Sequence, residues 1–374
     1  MIITILYIII TTMDHFFPQA LSDICEHSLI YPDRPLRCII IVNPVAGGFI
    51  IPKRHEHSIQ MLTKCREKAL LNPKRQIYKN VVLNLTEGKG SAGEITNQFI
   101  ERAVNEPEPF YLIISAGGDG THGEVMRSLY NASDGIRQNM AILRLPMGTG
   151  NDGADSVHIE NALDLLIKPS HVEYTPAVQL KTSQSGPSQW KGPFLAFNIL
   201  SVGLDAYVTH MTNNMKEKTP GDSYKLWVDI ATLFYDRNYK VDFVDVKAFD
   251  DRGKEVRSFK EKLLLLAMGA SGNRTYGSQH KILPDDRNVC AVKQMSLFKK
   301  LAIKGQITKG KHTNNPQTVI FYSNRLEFTC QHPILAQMDG ETVLLQPEDF
   351  PASMELTKPV IPFLKEGEEL LTKA

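Results

Sequence analysis

Short apolar runs separated by polar, helix-compatible stretches dominate the first half of the chain. Residues 38–42 are a β-branched run ending at Asn43-Pro44, and residues 55–71 have a helical polarity pattern, which predicts strand, turn and helix. The alternation continues with a strand at 80–85, a helix at 92–105, a strand at 111–115, a helix at 124–130 and a strand at 141–145. Strands that alternate with helices need crossover connections and therefore pair in parallel. The pattern predicts an open α/β sheet over residues 36–170.

Beyond Pro169 the texture changes. Strand-like runs at 178–182, 194–200, 239–249, 262–268, 289–295, 319–322 and 326–330 predict a mostly β second lobe. One helix is expected at 222–234, and Gly186-Pro187-Ser188 marks a hairpin tip or an insertion. The leucine-rich run 263–266 fits a buried strand better than an acyl pocket. The tail, residues 359–374, is apolar and then charged, which suits a terminal helix packing back on one lobe. At the other end, residues 2–10 are almost wholly apolar. As a helix they would reach about 15 Å, half of a hydrocarbon core, and they lack the marks of a signal peptide. Either this stretch dips into a bilayer surface or the working start is Met13; its β-branched, uncapped character favours the second reading.

Composition adds limits. A chain of 374 residues suits two lobes, and 42% hydrophobic with 22% charged residues is ordinary for a globular protein. Forty-two basic residues against 41 acidic ones leave a net charge of +1, so no global field draws in nucleic acid. Five cysteines, with no C-x-x-C pair, argue against a disulfide framework and against a zinc site, and fit a reducing cytoplasm.

The chemistry concentrates in glycine loops. Ser115-Ala116-Gly117-Gly118-Asp119-Gly120-Thr121 lies where a strand ends and a helix begins, the place where open α/β sheets bind ligands and where unpaired amides suit phosphate. Residues 118–123 also match G-x-G-x-x-G, but the dinucleotide reading needs an acid at the end of the next strand, which ends Leu145-Pro146-Met147-Gly148. An acid inside a phosphate loop would repel a triphosphate unless it faced a divalent cation or a reacting hydroxyl. Asp119 therefore either positions Mg²⁺ or accepts the proton of an attacking alcohol. Asn43-Pro44-Val45-Ala46-Gly47-Gly48 and Pro146-Met147-Gly148-Thr149-Gly150-Asn151-Asp152 share the same strand-end placement. No complete Walker A sequence occurs, so backbone amides and metal would hold the phosphates; residues 305–311 come near one but end in His312. Lys53 and Arg54 follow the first loop and read more readily as a solvated pair than as phosphate ligands.

Together the three loops resemble the diacylglycerol kinase catalytic domain family, which includes bacterial lipid kinases, sphingosine kinases and ceramide kinases. The resemblance spans residues 37–345 and implies a phosphofructokinase-like α/β first lobe, a β-sandwich second lobe and a catalytic cleft between them. It divides the chain into an N-terminal extension (1–35), a nucleotide-binding domain (36–170), a lipid-substrate domain (171–345) and a tail (346–374) packing back on a lobe. Asn198, Ser201, Gly203 and Asp205 resemble the opening of the family's β-lobe, and Lys309-Gly310-Lys311-His312 sits where members often carry a basic run. Gln337-Met338-Asp339-Gly340-Glu341 resembles an Asp-Gly-Glu element that returns to the nucleotide site; on an extended strand Asp339 and Glu341 would face the same side.

The resemblance implies ATP and Mg²⁺ as cofactors and a lipid hydroxyl as acceptor, met at a membrane surface by a cytoplasmic, peripherally associated enzyme. A homodimer is left open. The implied nucleotide contacts are Asn43, Gly47, Gly117, Gly118, Gly120, Thr121, Glu124, Gly148, Thr149, Gly150, Asn151 and Asp152. Asp119, Asp339 and Glu341 would form the catalytic set, with Asp119 or Asp339 as base. Asp285 and Asp286 resemble an acidic, magnesium-associated stretch, but the spacing is short and Arg287 stands where a glycine is common, which counts against metal there. After Asp152 many members continue with an aromatic and a basic residue; Gly153-Ala154-Asp155 departs from that and implies a shift in substrate choice. An NAD kinase and a nucleotide-binding regulator without turnover are the alternatives.

Overall fold

The computed structural model describes residues 16–75, 81–183, 194–216, 235, 240–277 and 280–367. The apolar run at 2–10, the Gly186-Pro187-Ser188 tip and the helix expected at 222–234 lie outside these residues. The chain forms two compact units, Met1–Thr175 with Val360–Ala374, and Pro176–Pro359.

The first unit is built on a six-stranded sheet in the order β2-β1-β3-β4-β19-β5. Strands β1 (Leu36–Val42), β2 (Val82–Leu85), β3 (Phe110–Gly117) and β4 (Met140–Pro146) run parallel. Every residue of β1 and β3 is buried, which explains their unbroken apolar sequences: a parallel strand between two helical layers has no solvent face. One layer contains α1 (Phe16–Glu26), α3 (Pro52–Ala69) and α7 (Ile159–Ile167); the other contains α4 (Ser91–Asn105) and α5 (Asp119–Asn131). The chain leaves β1 toward β2 on one side and returns to β3 on the other, so the topological switch point falls between the carboxyl ends of β1 and β3. A short helix, α2 (Gly47–Ile50), follows β1, and α6 (Asp134–Arg137) precedes β4.

The sheet is completed by the end of the described chain. β19 (Ile361–Glu366) lies between β4 and β5 (Ser170–Thr175), parallel to the former at Phe363↔Ile142 and antiparallel to the latter. The terminal helix expected there is thus a strand over 361–366. Pro359 and Pro362 give the reason, since a proline inside a helix removes a hydrogen bond and clashes with the preceding turn.

The second unit is antiparallel β. An 11-stranded sheet runs β17-β16-β8-β10-β9-β15-β18-β6-β7, with β13 pairing β10 and β14. Its pivot is the 15-residue strand β10 (Glu255–Gly269): residues 255–262 pair with β9 (Phe243–Phe249), and residues 263–269 pair with β8 (Ile199–Gly203) and β13 (Val289–Lys293). The remaining strands are β6 (Val178–Lys181), β7 (Leu195–Ala196), β14 (Thr318–Phe321), β15 (Arg325–Cys330), β16 (Ile334–Met338), β17 (Glu341–Leu345) and β18 (Ala352–Leu356), with β11 (Arg274–Tyr276) and β12 (His280–Leu283) as a separate hairpin. Leu263 and Leu266 pack in a core with Val246, Phe328 and Met354, whereas Leu264 and Leu265 face a second core with Tyr207 and Ile303. The leucine run is therefore core. Helices α8 (Leu204–Lys216) and α9 (Leu297–Thr308) cover that second core. All five cysteines are free and buried, and burial pushes the Cys65 and Cys290 thiols up to about 11 and about 12, so they are inert.

Candidate active site

The register of the parallel strands brings the three glycine loops together. Val42 is paired with Ala116, and Gly117 with Pro146, so β1, β3 and β4 end level with one another. Main chain meets main chain at two points. Gly48 N donates to Met147 O at 2.7 Å, and a Cβ on Gly148 would lie 2.5 Å from the Gly118 Cα, so only glycine allows the second and third loops to touch. Asn43 links the first two loops: its amide N–H donates to Ala116 O at 3.0 Å, and its Nδ2 donates to Thr121 Oγ1 at 3.3 Å.

Asn151 closes the third loop on itself. It holds a left-handed backbone, φ +58°, which asparagine tolerates better than most residues. Its Oδ1 accepts from Gly148 N at 2.7 Å and its Nδ2 donates to Pro146 O at 3.2 Å. Both side-chain groups are spent within the loop, and Thr149 is its exposed residue.

Asp119 is the first residue of α5, at the positive end of the helix dipole. Its Oδ1 accepts from Gly153 N at 2.7 Å. Its Oδ2 and the Oδ2 of Asp152 lie 3.2 and 3.4 Å from where a Cβ on Gly150 would be, so two carboxylates flank that glycine. Among the described residues no cluster of three or more His, Cys, Asp or Glu could hold a metal. The Asp119 and Asp152 carboxylates are a donor pair that would suit magnesium, which keeps several waters and takes phosphate oxygens as further ligands.

The unusual Gly153-Ala154-Asp155 acquires a structural meaning. Asp155 accepts from the Arg144 backbone N–H at 2.6 Å, from Nε at 3.2 Å and from Nη2 at 2.6 Å. Both side chains are only 6% exposed. The Arg144 guanidinium also stacks 3.9 Å from the centre of the Phe363 ring on β19. The far end of the third loop is therefore pinned to β4 by a buried ion pair, two residues from the amide that holds Asp119. Neither Arg144 nor Asp155 stands out in the sequence as a pair; a buried charge in the middle of a parallel strand is the signal that points to a partner.

Other residues fall differently. Glu124 is engaged at another helix end: its Oε1 accepts from Gly90 N at 2.7 Å and its Oε2 from Ala92 N at 3.1 Å, so it caps the amino end of α4. Arg54, read as solvated, instead turns toward the first loop. Its Nη1 would be 3.2 Å from a Cβ on Gly47, and the Thr149 hydroxyl 3.4 Å from the same point. His122 is fully buried with Nδ1 at 2.8 Å from Ser115 Oγ, and burial, with the nearby Arg144 charge, pushes its pKa down to about 3. It is a neutral brace between β3 and α5.

In the second unit, Asp339 and Gly340 form the two-residue turn between β16 and β17, with φ +47° and +102°. The two carboxylates of Asp339 and Glu341 are thus separated by a turn and do not share one face of an extended strand. Sequence favours this outcome, because Asp-Gly is a preferred pair for such hairpins. The Asp339 carboxylate accepts N–H bonds from Phe197, from Asn198 at 3.1 Å and from Ile199 at 3.0 Å. Gln337 continues the network to Ser201 at 2.9 Å and Asp205 at 3.3 Å, which accounts for the polar residue within β8 and the acid in the first turn of α8. Asp285 is engaged by the Arg287 guanidinium and backbone N–H, and that pairing holds its carboxyl below the usual range. Asp286 accepts from Asn273 Nδ2 at 2.7 Å. With its oxygens on Arg287, Asp285 does not fit a metal.

Residues 37–175 match the family model of the diacylglycerol kinase catalytic domain. A probable lipid kinase of the YegS-like kind from Yersinia enterocolitica is 26% identical over 252 residues, 64% of this chain and 76% of that protein. A probable lipid kinase YegS from Salmonella heidelberg is 43% identical over 56 residues, 15% of this chain and 18% of that one. A solved diacylglycerol kinase from Bacillus anthracis shares the fold with a TM-score of 0.51 at 16% identity, covering 87% of this chain and 96% of that one. Over residues 37–175 the chain is therefore similar to diacylglycerol kinase catalytic domains, and over 252 residues it is similar to a probable lipid kinase.

Proposed function

We propose that this protein transfers the γ-phosphate of Mg·ATP to the hydroxyl of a membrane lipid, a diacylglycerol in the first instance and a sphingoid lipid as the alternative acceptor. The observation that carries the proposal is the junction of three loops at level strand ends, with Asp119 inside it and a helix dipole behind it. The amino-terminal amides of α5, the Gly47 amide, the Thr149 hydroxyl and the Arg54 guanidinium would hold phosphate oxygens. Asp152 would supply the protein carboxylate for magnesium, whose chemistry is to neutralise charge on the transferring group.

Asp119 is the base in this reading. Its Oδ1 accepts from Gly153 N–H and its Oδ2 lies beside Gly150, at the junction of the loops. Asp339 suits the role less well, because three backbone N–H groups already occupy its carboxylate. Phosphoryl transfer depends chiefly on positioning and charge neutralisation, so the rigidity of the junction matters as much as any one side chain.

The test is incubation of the purified chain with γ-labelled ATP and separate panels of diacylglycerols, sphingoid bases and NAD. Label in an organic-extractable product is the expected result. Label only in NADP would move the chain to the NAD kinases, and bound ATP with no labelled product would make it a regulator.

A further inference from the structure

We propose that α9 and the turn after it, residues 297–311, form a docking surface for an anionic lipid bilayer. The helix has one buried face, on which Lys300 and Ile303 are 7% and 5% exposed. On the opposite face Phe298, Ala302, Gly305 and Lys309 follow at i, i+4, i+7 and i+11, all exposed, so they form one row along the helix. Phe298 is 83% exposed and its neighbour Leu297 44%, an apolar tip directed into solvent.

Charge surrounds this row. Apart from the buried Lys300, residues 297–311 contain Lys299, Lys304, Lys309 and Lys311 and no Asp or Glu, in a chain whose net charge is +1. The turn brings the last two close. Gly310, at φ +66°, lets its own N–H reach Ile307 O at 3.0 Å and the Lys311 N–H reach Gln306 O at 2.8 Å, which folds the chain back over the helix end. Lys281 joins them, its Cδ lying 3.3 Å from where a Cβ on Gly310 would be.

A helix of 12 residues is about 18 Å long, too short to span a hydrocarbon core of ~30 Å but suited to lying in the headgroup plane. Two small residues in the exposed row let the backbone approach the headgroups. One aromatic wedge is a poor core for a protein interface, which needs a contiguous, well-packed patch. A bilayer takes a lone wedge together with scattered cations, each signal weak and the two effective together. The inference takes from the proposed activity only the premise that the acceptor is in a membrane.

The test is flotation of the full chain with phosphatidylcholine vesicles, with and without phosphatidylserine, at low and high salt. Binding that needs phosphatidylserine and weakens with salt is expected. Lys309→Glu should lower the partition coefficient by at least about fivefold, and Phe298→Ser by about tenfold. Both positions are exposed, so unchanged thermal midpoints would show that folding is intact. Failure of the parent chain to float, or equal flotation of both variants, overturns the proposal. Phosphorylation of a dispersed short-chain diacylglycerol, measured alongside, keeps the two ideas apart: the variants should match the parent there, and a parent inactive on that lipid counts against the activity while flotation still decides the docking.

Discussion

The ion pair of Arg144 and Asp155 puts a buried charge to use in fixing a loop. Asp155→Ala would delete three acceptor contacts, at 2.6, 3.2 and 2.6 Å, and leave a guanidinium whose side chain is 6% exposed. Removing one partner of a buried pair costs about 3–5 kcal/mol, since the other charge stays desolvated. The Phe363 ring at 3.9 Å would recover a part, roughly 1 kcal/mol. With a urea slope of about 2 kcal/mol/M, the midpoint of the first unit should fall by about 1–2 M, read by circular dichroism. Replacing both charges, Arg144→Met with Asp155→Asn, should return most of that loss, because a well-packed neutral pair avoids the unpaired charge. A shift below about 0.3 M for the single variant, or additive losses in the cycle, would refute the reasoning.

Four other outcomes follow from the same geometry. Asp119→Asn should lower kcat by about 10²–10⁴ while changing ATP affinity only a few-fold, and near-normal turnover would remove Asp119 from the mechanism. Arg54→Ala should raise KM for ATP by about tenfold with little effect on kcat; equal loss in kcat would place it elsewhere in the reaction. Gly148→Ala should destabilise the first unit by about 1–3 kcal/mol and weaken ATP binding, because its Cβ would lie 2.5 Å from the Gly118 Cα. His122, ordinarily near 6.5, is held at about 3 in the fold. Its neutral form contributes stability that is complete above about pH 6.5 and is lost as pH falls toward 3, by up to about 1.4 kcal/mol per pH unit. A thermal midpoint of His122→Gln that falls with acid as steeply as the parent's would show that other groups dominate.

The parallel sheet was readable because its strands are buried on both faces: the runs at 38–42, 111–115 and 141–145 fall inside β1, β3 and β4. The loops were readable because close backbone approach leaves glycine as its mark, at Gly48 and Gly148 above all. Long-range partnerships left no such mark. Glu124 has a motif position but takes its role from Gly90 and Ala92, more than 30 residues earlier. The Asp155 departure looks like a change of specificity until Arg144 is seen across the loop. Helix α7 did carry a signal, with Ile159, Ala162, Leu163, Leu166 and Ile167 at helical spacing, all buried. Strand β19 shows the opposite case: Pro362 argued against a helix, but nothing local said that a slot between β4 and β5 was waiting for it.

That late strand sets an order of events during synthesis. Unit one gains its fifth sheet position, and the aromatic ring beneath Arg144, only when residues 361–366 arrive, after the whole of unit two has been translated. A ribosome-bound chain stalled before Ile361 would present the three-loop junction with one supporting wall missing, so the proposed capacity to hold a triphosphate should mature last.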